Sequence, residues 1–211
     1  MNQKNGKNSL GLDSCFKEYG NPIDLFKEWF EKAKETEVND PNALALATVG
    51  KSEIPSVRMV LLKDFNNKGF VFYTNLNSQK SNEIKSNPKA SMCFHWKSLL
   101  RQVRITGELA KVSDNDANNY YNSRSYMSRI GAWASNQSSV LKSRDELLNS
   151  IEEFKKKYPD NKDVPRPQYW SGWNLIPNKI EFWLDGKDRI HERLLYTKTG
   201  NKGWEKKLLS P

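Results

Sequence analysis

Five short apolar segments between residues 43 and 112 constrain the fold of this chain more than any other feature of its sequence. Each is rich in β-branched, aliphatic or aromatic residues, and a few residues that favour turns or a short helix separate it from the next. Segments of this length and composition predict strands, and two similar segments follow near the end of the chain. The predicted strands span residues 43–49, 57–63, 69–74, 90–96, 101–112, 179–184 and 192–197.

The connections between these strands indicate an antiparallel arrangement. Residues 65–69, Phe-Asn-Asn-Lys-Gly, have the composition of a hairpin turn. The sequence contains no G-x-G-x-x-G or Walker motif, which disfavours a nucleotide-binding sheet of the Rossmann type. Closely spaced strands joined in this way predict a closed or nearly closed barrel.

Helices are predicted to flank this barrel. Apolar residues at 25, 26, 29, 30 and 33 follow Pro22 at helical spacing, and residues 78–87 form a second short helical segment before Pro88. Ser113 is a candidate N-cap for a helix over 114–123, and the capping box that begins at Ser143 predicts another helix. The fold class is therefore mainly β with flanking helices, in one domain over residues 21–211. Residues 1–20, rich in Asn, Lys, Gly and Ser, are expected to form a mobile arm.

Composition limits the partners and the location. The net charge of +9 predicts anionic partners, but the lysines are scattered and mixed with acidic residues, so we expect no nucleic acid partner. Two separated cysteines, Cys15 and Cys93, indicate a reducing compartment. The absence of an apolar leader or membrane span predicts a soluble, cytoplasmic protein. Two histidines, His95 and His191, are too few for a metal site, and we expect none.

Several cations lie within or beside the predicted strands, where a buried charge needs an anion or water. Arg58 and Lys63 are five residues apart and project from opposite faces of a regular strand. They can therefore serve two adjacent anion sites, or they can be solvated residues on an outward face. The same two interpretations apply to Gln102 and Arg104.

Three further stretches combine charge with hydrogen-bonding groups. Ser78-Gln79-Lys80 precedes a predicted helix, whose first N–H groups attract phosphate. Residues 120–139 are dense in hydroxyls, amides and Arg without a clear apolar stripe, which is typical of a ligand-binding segment or of a polar loop. Arg189, His191 and Arg193 share one face if they form a strand, where they can bind an anion or lie in solvent beside Glu192.

Taken together, these segments resemble the pyridoxamine 5′-phosphate oxidase family from about residue 20 to Pro211. Eight stretches match in order and at compatible spacing. They are Arg58-Met-Val-Leu-Leu-Lys63, Phe72-Tyr-Thr-Asn75, Arg101-Gln-Val-Arg104, Ser123-Arg124, Ile130-Gly-Ala-Trp133, Gln137-Ser138, Ile180-Glu-Phe-Trp183 and Arg189-Ile-His-Glu-Arg193.

The resemblance implies a homodimeric split barrel with FMN at the subunit interface. It implies oxidation of pyridoxamine and pyridoxine 5′-phosphates to pyridoxal 5′-phosphate, with O2 as acceptor and H2O2 as product. Arg189 and His191 would lie against the substrate ring as catalytic residues. The substrate phosphate would contact Lys63, Tyr120, Arg124 and Ser128. The residues expected to bind FMN are Arg58, Met59, Val60, Leu61, Leu62, Lys63, Tyr73, Thr74, Gln79, Lys80, Gln102, Gln137, Ser138, Trp183 and Arg193.

The chain departs from the family at Gln79, where relatives often carry Arg. With one cation fewer near the FMN phosphate, weaker flavin affinity is expected. Two other functions stay open at this point. One is another split-barrel flavoprotein, such as a flavin reductase-like or deazaflavin-using enzyme, which would lack the substrate phosphate clamp. The other is a non-catalytic protein that stores flavin or binds nucleic acid through its net charge.

Overall fold

One branched antiparallel sheet and its flanking helices make up the computed structural model, which describes residues 19–160, 164–200 and 203–211. Nearly all of the predicted arm, and Cys15 with it, lies outside these residues. The α-helices are α1 (Pro22–Thr36), α2 (Gln79–Ser86), α3 (Asp114–Ser123), α4 (Tyr126–Ala134) and α5 (Arg144–Lys157). The strands are β1 (Ala43–Val49), β2 (Pro55–Leu61), β3 (Asp64–Asn66), β4 (Gly69–Asn75), β5 (Lys89–Trp96), β6 (Arg101–Lys111), β7 (Trp170–Leu184), β8 (Glu192–Lys198) and β9 (Trp204–Leu209).

The sheet runs in the order β2-β1-β5-β6-β7-β4-β3, and β8 and β9 branch from β7. All of its pairings are antiparallel. Strands β2 and β4 approach each other although four strands separate them along this order, so the sheet curls into a half-barrel. The prediction of a mainly β fold with flanking helices and barrel-like curvature is confirmed.

Strand β7 joins the two branches of the sheet. Its first half pairs with β4, its second half pairs with β8, and β6 pairs along both halves. The register between β6 and β7 shifts at Thr106/Gly107, opposite Pro177. A Cβ on Gly107 would lie 2.0 Å from the carbonyl oxygen of Ile176, so this irregularity requires glycine.

Helix α1 supplies the aromatic side of the core. Its N-cap Asn21 accepts a hydrogen bond from the Ile23 backbone N–H at 3.1 Å, and Pro22 occupies the first helical position. Phe26 packs its ring edge-on against Phe70 of β4, with ring centroids 5.0 Å apart. The core therefore lies between α1 and the concave face of the sheet, where residues with no exposed surface include Phe26, Trp29, Leu44, Phe72, Phe94, Val103 and Phe182.

Several elements differ from the sequence-based expectations. Strand β2 ends at Leu61, two residues early, so Leu62 and Lys63 leave the strand. Strand β7 begins at Trp170, nine residues before the predicted strand, and the hairpin partner β9 was not predicted. Helix α4 lies within the stretch for which no apolar stripe was found.

Candidate functional site

An open cleft of about 1040 Å³ lies where β2, β4, α2, α3 and α4 converge. Most of the residues expected from the sequence to bind cofactor or substrate phosphate line this cleft. From the cofactor set they are Arg58, Met59, Val60, Leu61, Lys63, Tyr73, Thr74, Gln79, Lys80, Gln137 and Ser138, and from the substrate set they are Lys63, Tyr120, Arg124 and Ser128. Both Arg58 and Lys63 reach the cleft because β2 ends between them, and strand alternation no longer applies at Lys63.

Arg58 is held at one end of the cleft by a network around Glu83 of α2. Its guanidinium donates to the hydroxyls of Thr48 and Ser56 and lies 3.3 Å from Glu83 Oε2. The Glu83 carboxylate also accepts from Thr48 at 2.5 Å, Ser56 at 2.6 Å and Gln79 at 2.9 Å. Burial raises the pKa of Glu83, but these hydrogen bonds and the Arg58 charge outweigh it and lower the pKa to about 2. Glu83 is therefore an anion at physiological pH and fixes the orientation of Arg58.

Lys80 is buried beside this network. Its ammonium donates to Gln137 Oε1 at 3.1 Å, to Thr74 Oγ1 at 3.2 Å and to Ser78 Oγ at 3.4 Å. Burial lowers the pKa of Lys80, and the neighbouring Arg58 charge lowers it further. The charge of Glu83 raises this pKa but does not offset the other two effects. A buried cation and a partly buried one close to one carboxylate form a site that gains from a bound anion.

A stack of aromatic rings forms another wall of the cleft. The rings of Tyr73 and Tyr120 are 4.1 Å apart and nearly parallel, and Trp170 lies 5.4 Å from Tyr73 in the same orientation. The Arg124 guanidinium lies 4.7 Å from the Trp170 ring, and Lys63 Nζ lies 6.0 Å from the Tyr120 ring. The stack therefore holds two cations over its faces.

Arg124 is the least satisfied of the cleft cations. Its Nη1 is buried and has no hydrogen-bond partner among the described residues, and burial lowers the pKa of the guanidinium. On the next helix, Ser128 Oγ accepts a hydrogen bond from Ser125 Oγ at 2.8 Å, at the start of α4. A free donor beside hydroxyls at a helix N-terminus suits a second anion.

A second group of expected residues lies outside this cleft. Gln102, Trp183 and Arg193 are neighbours across β6, β7 and β8, and the His191 ring lies 4.7 Å from that of Trp183. Arg193 contacts Glu181 at 2.8 Å and donates to the Ser210 backbone oxygen. Arg189 precedes His191 in left-handed backbone conformation, with φ of 66°. The structure therefore brings these residues together, but not with the cleft of the same protomer.

Leu62 also lies outside the cleft. Its side chain is buried in the core, and both its backbone N–H and its carbonyl bond to Asn42. Conversely, the sequence-based assignment did not include Glu83 or Trp170. The spacing of Glu83, four residues after Gln79 on one helix, would have indicated their contact. Trp170 gave no comparable signal, because it opens the part of β7 that was not predicted.

The part of the chain in the structure has no cluster of three or more His, Cys, Asp or Glu side chains placed to hold a metal ion. None of its helices is long and apolar enough to cross a membrane.

Two family models match the chain in consecutive regions. Residues 30–158 match the model described as pyridoxamine 5′-phosphate oxidase, and residues 170–211 match the pyridoxine 5′-phosphate oxidase C-terminal dimerisation region. The second region contains Trp183, Arg189, His191 and Arg193 of the group outside the cleft.

Curated relatives resemble the chain over nearly its full length. A pyridoxine/pyridoxamine 5′-phosphate oxidase of Pelagibacter ubique is 70% identical over 207 residues, which cover 98% of this chain and 100% of the relative. The protein of the same name from Brucella anthropi is 53% identical, covering 93% of this chain and 97% of the relative.

Solved structures show the same fold. PhzG of Burkholderia lata, solved with tetrahydrophenazine-1-carboxylic acid, superposes with a TM-score of 0.87 at 29% identity, over 93% of this chain and 96% of PhzG. An FMN-binding protein of Nostoc punctiforme related to pyridoxamine 5′-phosphate oxidase gives a TM-score of 0.71 at 19% identity, over 88% of this chain and 95% of that one. Because the family models and the relatives agree along the chain, the protein belongs to the pyridoxamine 5′-phosphate oxidase family.

Proposed function

We propose that this chain, as a homodimer with FMN, oxidises pyridoxamine and pyridoxine 5′-phosphates to pyridoxal 5′-phosphate. The observation that carries the proposal is a single cleft with cations at two ends, each suited to an anion. One end has Arg58 and the buried Lys80, and the other has Arg124 with an unpartnered Nη1. A phosphorylated cofactor beside a phosphorylated substrate uses both ends.

The residues present fit FMN. Arg58 and Lys80 would hold its phosphate, with Thr74, Gln137 and Ser138 as neutral hydrogen-bonding groups. The outward side chains of β2, Val57, Met59 and Leu61, line the same cleft and offer an apolar surface for the flavin ring. Gln79 places an amide where relatives often carry a cation, and this amide is engaged with Glu83, so flavin affinity below that of Arg-containing relatives is expected.

The substrate phosphate would be clamped by Lys63, Tyr120, Arg124 and Ser128. Arg supplies a planar fork of donors, Lys a point charge and Ser and Tyr hydroxyl donors. The clamp lies apart from the reacting carbon, so its binding energy orients the substrate ring. A molecule without phosphate loses these contacts, which separates this function from that of other split-barrel flavoproteins.

Dimerisation would complete the site. Trp183, Arg189, His191 and Arg193 lie in the region that matches a dimerisation model and away from the cleft of their own protomer. We propose that these residues, with Gln102, face the cleft of the partner, which places FMN at the subunit interface. There Arg189 and His191 would contact the substrate ring as catalytic residues.

FMN, when bound, supplies the two-electron redox chemistry and O2 accepts the electrons. Pyridoxine phosphate and O2 give the aldehyde and H2O2; pyridoxamine phosphate, O2 and water give the aldehyde, H2O2 and ammonia. The protein binds and orients the two phosphates and holds the substrate ring. Residue Cys93 is a free thiol among the described residues, which accords with the cytoplasmic location we propose.

The direct test is flavin absorbance of the purified protein, followed by anaerobic addition of pyridoxamine phosphate. We expect the flavin absorbance to bleach and then to return with O2, with pyridoxal phosphate as product. A protein that ignores saturating FMN, or a flavin that stays oxidised with both substrates, would overturn the proposal.

The clamp has its own test in Lys63→Ala. We expect KM for pyridoxamine phosphate to rise about tenfold or more, because a charge-assisted contact to the phosphate is lost. Lys68→Ala, a charge removed from the β3–β4 turn, is the matched control and should leave KM unchanged. An unchanged KM in Lys63→Ala would remove this residue from the clamp.

A further inference from the structure

Two groups contact the Nδ1 atom of His191 in the structure, one through a hydrogen bond and the other at ion-pair distance. The Asp185 carboxylate oxygen Oδ1 lies 3.1 Å from it, and the backbone nitrogen of Gly186 lies 3.2 Å from it. Among the described residues, Nε2 of this imidazole has no hydrogen-bond partner. The ring packs against Trp183, so its position is fixed from one side as well.

The two partners demand opposite states of Nδ1. A carboxylate requires a proton on Nδ1, and a backbone N–H requires a lone pair there. In the neutral imidazole, a proton on Nδ1 leaves a lone pair on Nε2, and a lone pair on Nδ1 places the proton on Nε2. The partner that prevails therefore decides whether Nε2 accepts or donates a hydrogen bond.

The loop that carries this arrangement is tightly constrained. A Cβ on Gly186 would lie 1.8 Å from the carbonyl oxygen of Ile190, so only glycine permits the approach of the two ends of the loop. Asp188 and Arg189 are both left-handed, with φ of 55° and 66°. The backbone of Asp185 is fixed by a hydrogen bond from its N–H to the Leu100 carbonyl oxygen, at 3.0 Å. The contact of Asp185 with His191 is thus built into the loop conformation.

We propose that Asp185 is a positioning residue that sets the tautomer of His191. With the Asp185 carboxylate 3.1 Å from Nδ1, a proton on Nδ1 would form a charge-assisted hydrogen bond that is stronger than the neutral bond from Gly186, so Nδ1 carries the proton. Nε2 then presents a lone pair and accepts a hydrogen bond from an N–H or O–H of the substrate. This inference rests on the proposed function for the identity of the substrate, but the tautomer itself is a property of the protein.

The tautomer can be measured directly, because the chain has two histidines. In ¹⁵N-histidine-labelled holoenzyme carrying His95→Gln, the remaining imidazole is His191. Its two ¹⁵N chemical shifts, recorded at alkaline pH where imidazoles are neutral, show which nitrogen is protonated. We expect a protonated Nδ1 in this background, and a protonated Nε2 once Asp185→Ala leaves the Gly186 N–H as the remaining partner.

Asp188→Asn is the matched control, since it removes one negative charge from the same loop and Asn tolerates left-handed backbone. We expect it to retain the Nδ1 proton. In the same comparison, Asp185→Ala should lower kcat about ten- to hundredfold with unchanged flavin content, and Asp188→Asn should not. If Asp185→Ala does not fold, Asp185→Asn replaces it and should give a mixture of tautomers.

Identical ¹⁵N patterns with and without Asp185, or an Nε2 proton in the His95→Gln protein, would overturn the inference. These results are independent of turnover. If the protein shows the Asp185-dependent tautomer but does not oxidise either B6 phosphate, the proposed function fails and the positioning role stands.

Discussion

At the scale of single residues, the cleft is organised by the balance of charge at each end. Glu83 neutralises part of the charge of Arg58 and Lys80, and its pKa of about 2 keeps it ionised at neutral pH. Among the described residues, Lys80 forms no ion pair within 4 Å and donates its hydrogen bonds to neutral oxygens. Without a bound anion, the buried ammonium of Lys80 destabilises the fold at every pH below its lowered pKa. This destabilisation is lost as pH rises from the lowered pKa towards the ordinary value of 10.5.

The lowered pKa of Lys80 predicts that FMN affinity depends on pH. A bound phosphate stabilises the charged ammonium, so affinity should fall as pH rises through the lowered pKa, below the ordinary value of 10.5. Fluorescence titration of the apoprotein with FMN measures this, above pH 7.5 where the phosphate itself no longer titrates.

Lys80→Met should bind FMN about ten- to hundredfold more weakly, and the pH dependence should disappear. Lys85→Met removes a charge from the same helix without touching the cleft and should retain both affinity and pH profile. A pH profile that persists in Lys80→Met would show that another group is responsible.

The contact of the Trp170 ring with the Arg124 guanidinium predicts that replacing Trp170 will weaken binding of the substrate phosphate by the proposed clamp. Replacing it in Trp170→Leu should raise KM for pyridoxamine phosphate roughly threefold to thirtyfold, the range of a cation–π contact. Trp170→Phe keeps an aromatic face and should recover part of this loss. If KM rises equally for unphosphorylated pyridoxamine, the effect is on the general shape of the cleft and the assignment to Arg124 is wrong.

At the scale of elements, the register shift between β6 and β7 predicts that one added methyl group will strongly lower the stability of the protein. Gly107→Ala would place a Cβ against the Ile176 backbone, which cannot move without breaking strand pairing. We expect a loss of more than about 2 kcal/mol in the free energy of unfolding, measured by urea denaturation.

Gly131→Ala is the matched control for this substitution. A Cβ there meets nothing within 4 Å, and the residue lies in helix α4. Stability should stay level or rise by up to about 1 kcal/mol, because alanine is the better helix former. Similar losses in both variants would show that the cost at Gly107 is not steric.

The elements also show what the sequence could predict. Strand β1 and the start of α1 agree with the prediction because Pro41, Gly50 and Pro22 mark their boundaries. The first half of β7 was not predicted because it contains Gly172 and Pro177, which normally interrupt strands, and because its first four residues are buried on both faces and do not alternate. Helix α4 was missed because its apolar residues, Tyr126, Ile130 and Trp133 at helical spacing, stand among serines and arginines; the helix begins at the Ser125 cap, and Trp133 packs on Phe154 of α5.

The candidate site was predictable to the extent that it rests on the family resemblance. That resemblance assigned both the cleft residues and the group around His191, but it could not show that the two lie apart in one protomer. Glu83 and Asp185 contact other protein side chains, so a pattern of ligand-binding residues does not include them; helical spacing from Gln79 indicates the contact of Glu83, and no such spacing indicates Asp185.

At the scale of the whole molecule, the two family models divide the chain between residues 158 and 170, but the sheet does not divide there. Strand β7 belongs to the second region and pairs with β4 and β6 of the first. We therefore expect one cooperative unfolding transition, with coincident curves from far-UV circular dichroism and tryptophan fluorescence. A chain that stops at residue 169 should remain unfolded, and a stably folded fragment of this length would contradict the expectation.

The exposed edge of strand β2 affects the solubility of protein that has not yet bound flavin or a partner subunit. It forms one end of the main strand order, and Val57 and Met59 on its outer face are 69% and 64% exposed in the isolated protomer. An open strand edge with apolar side chains readily joins strands of other chains and aggregates. In the proposed assembly, flavin and the partner subunit cover this surface. The supply of riboflavin would therefore determine how much newly synthesised protein stays soluble, as well as how active that protein is.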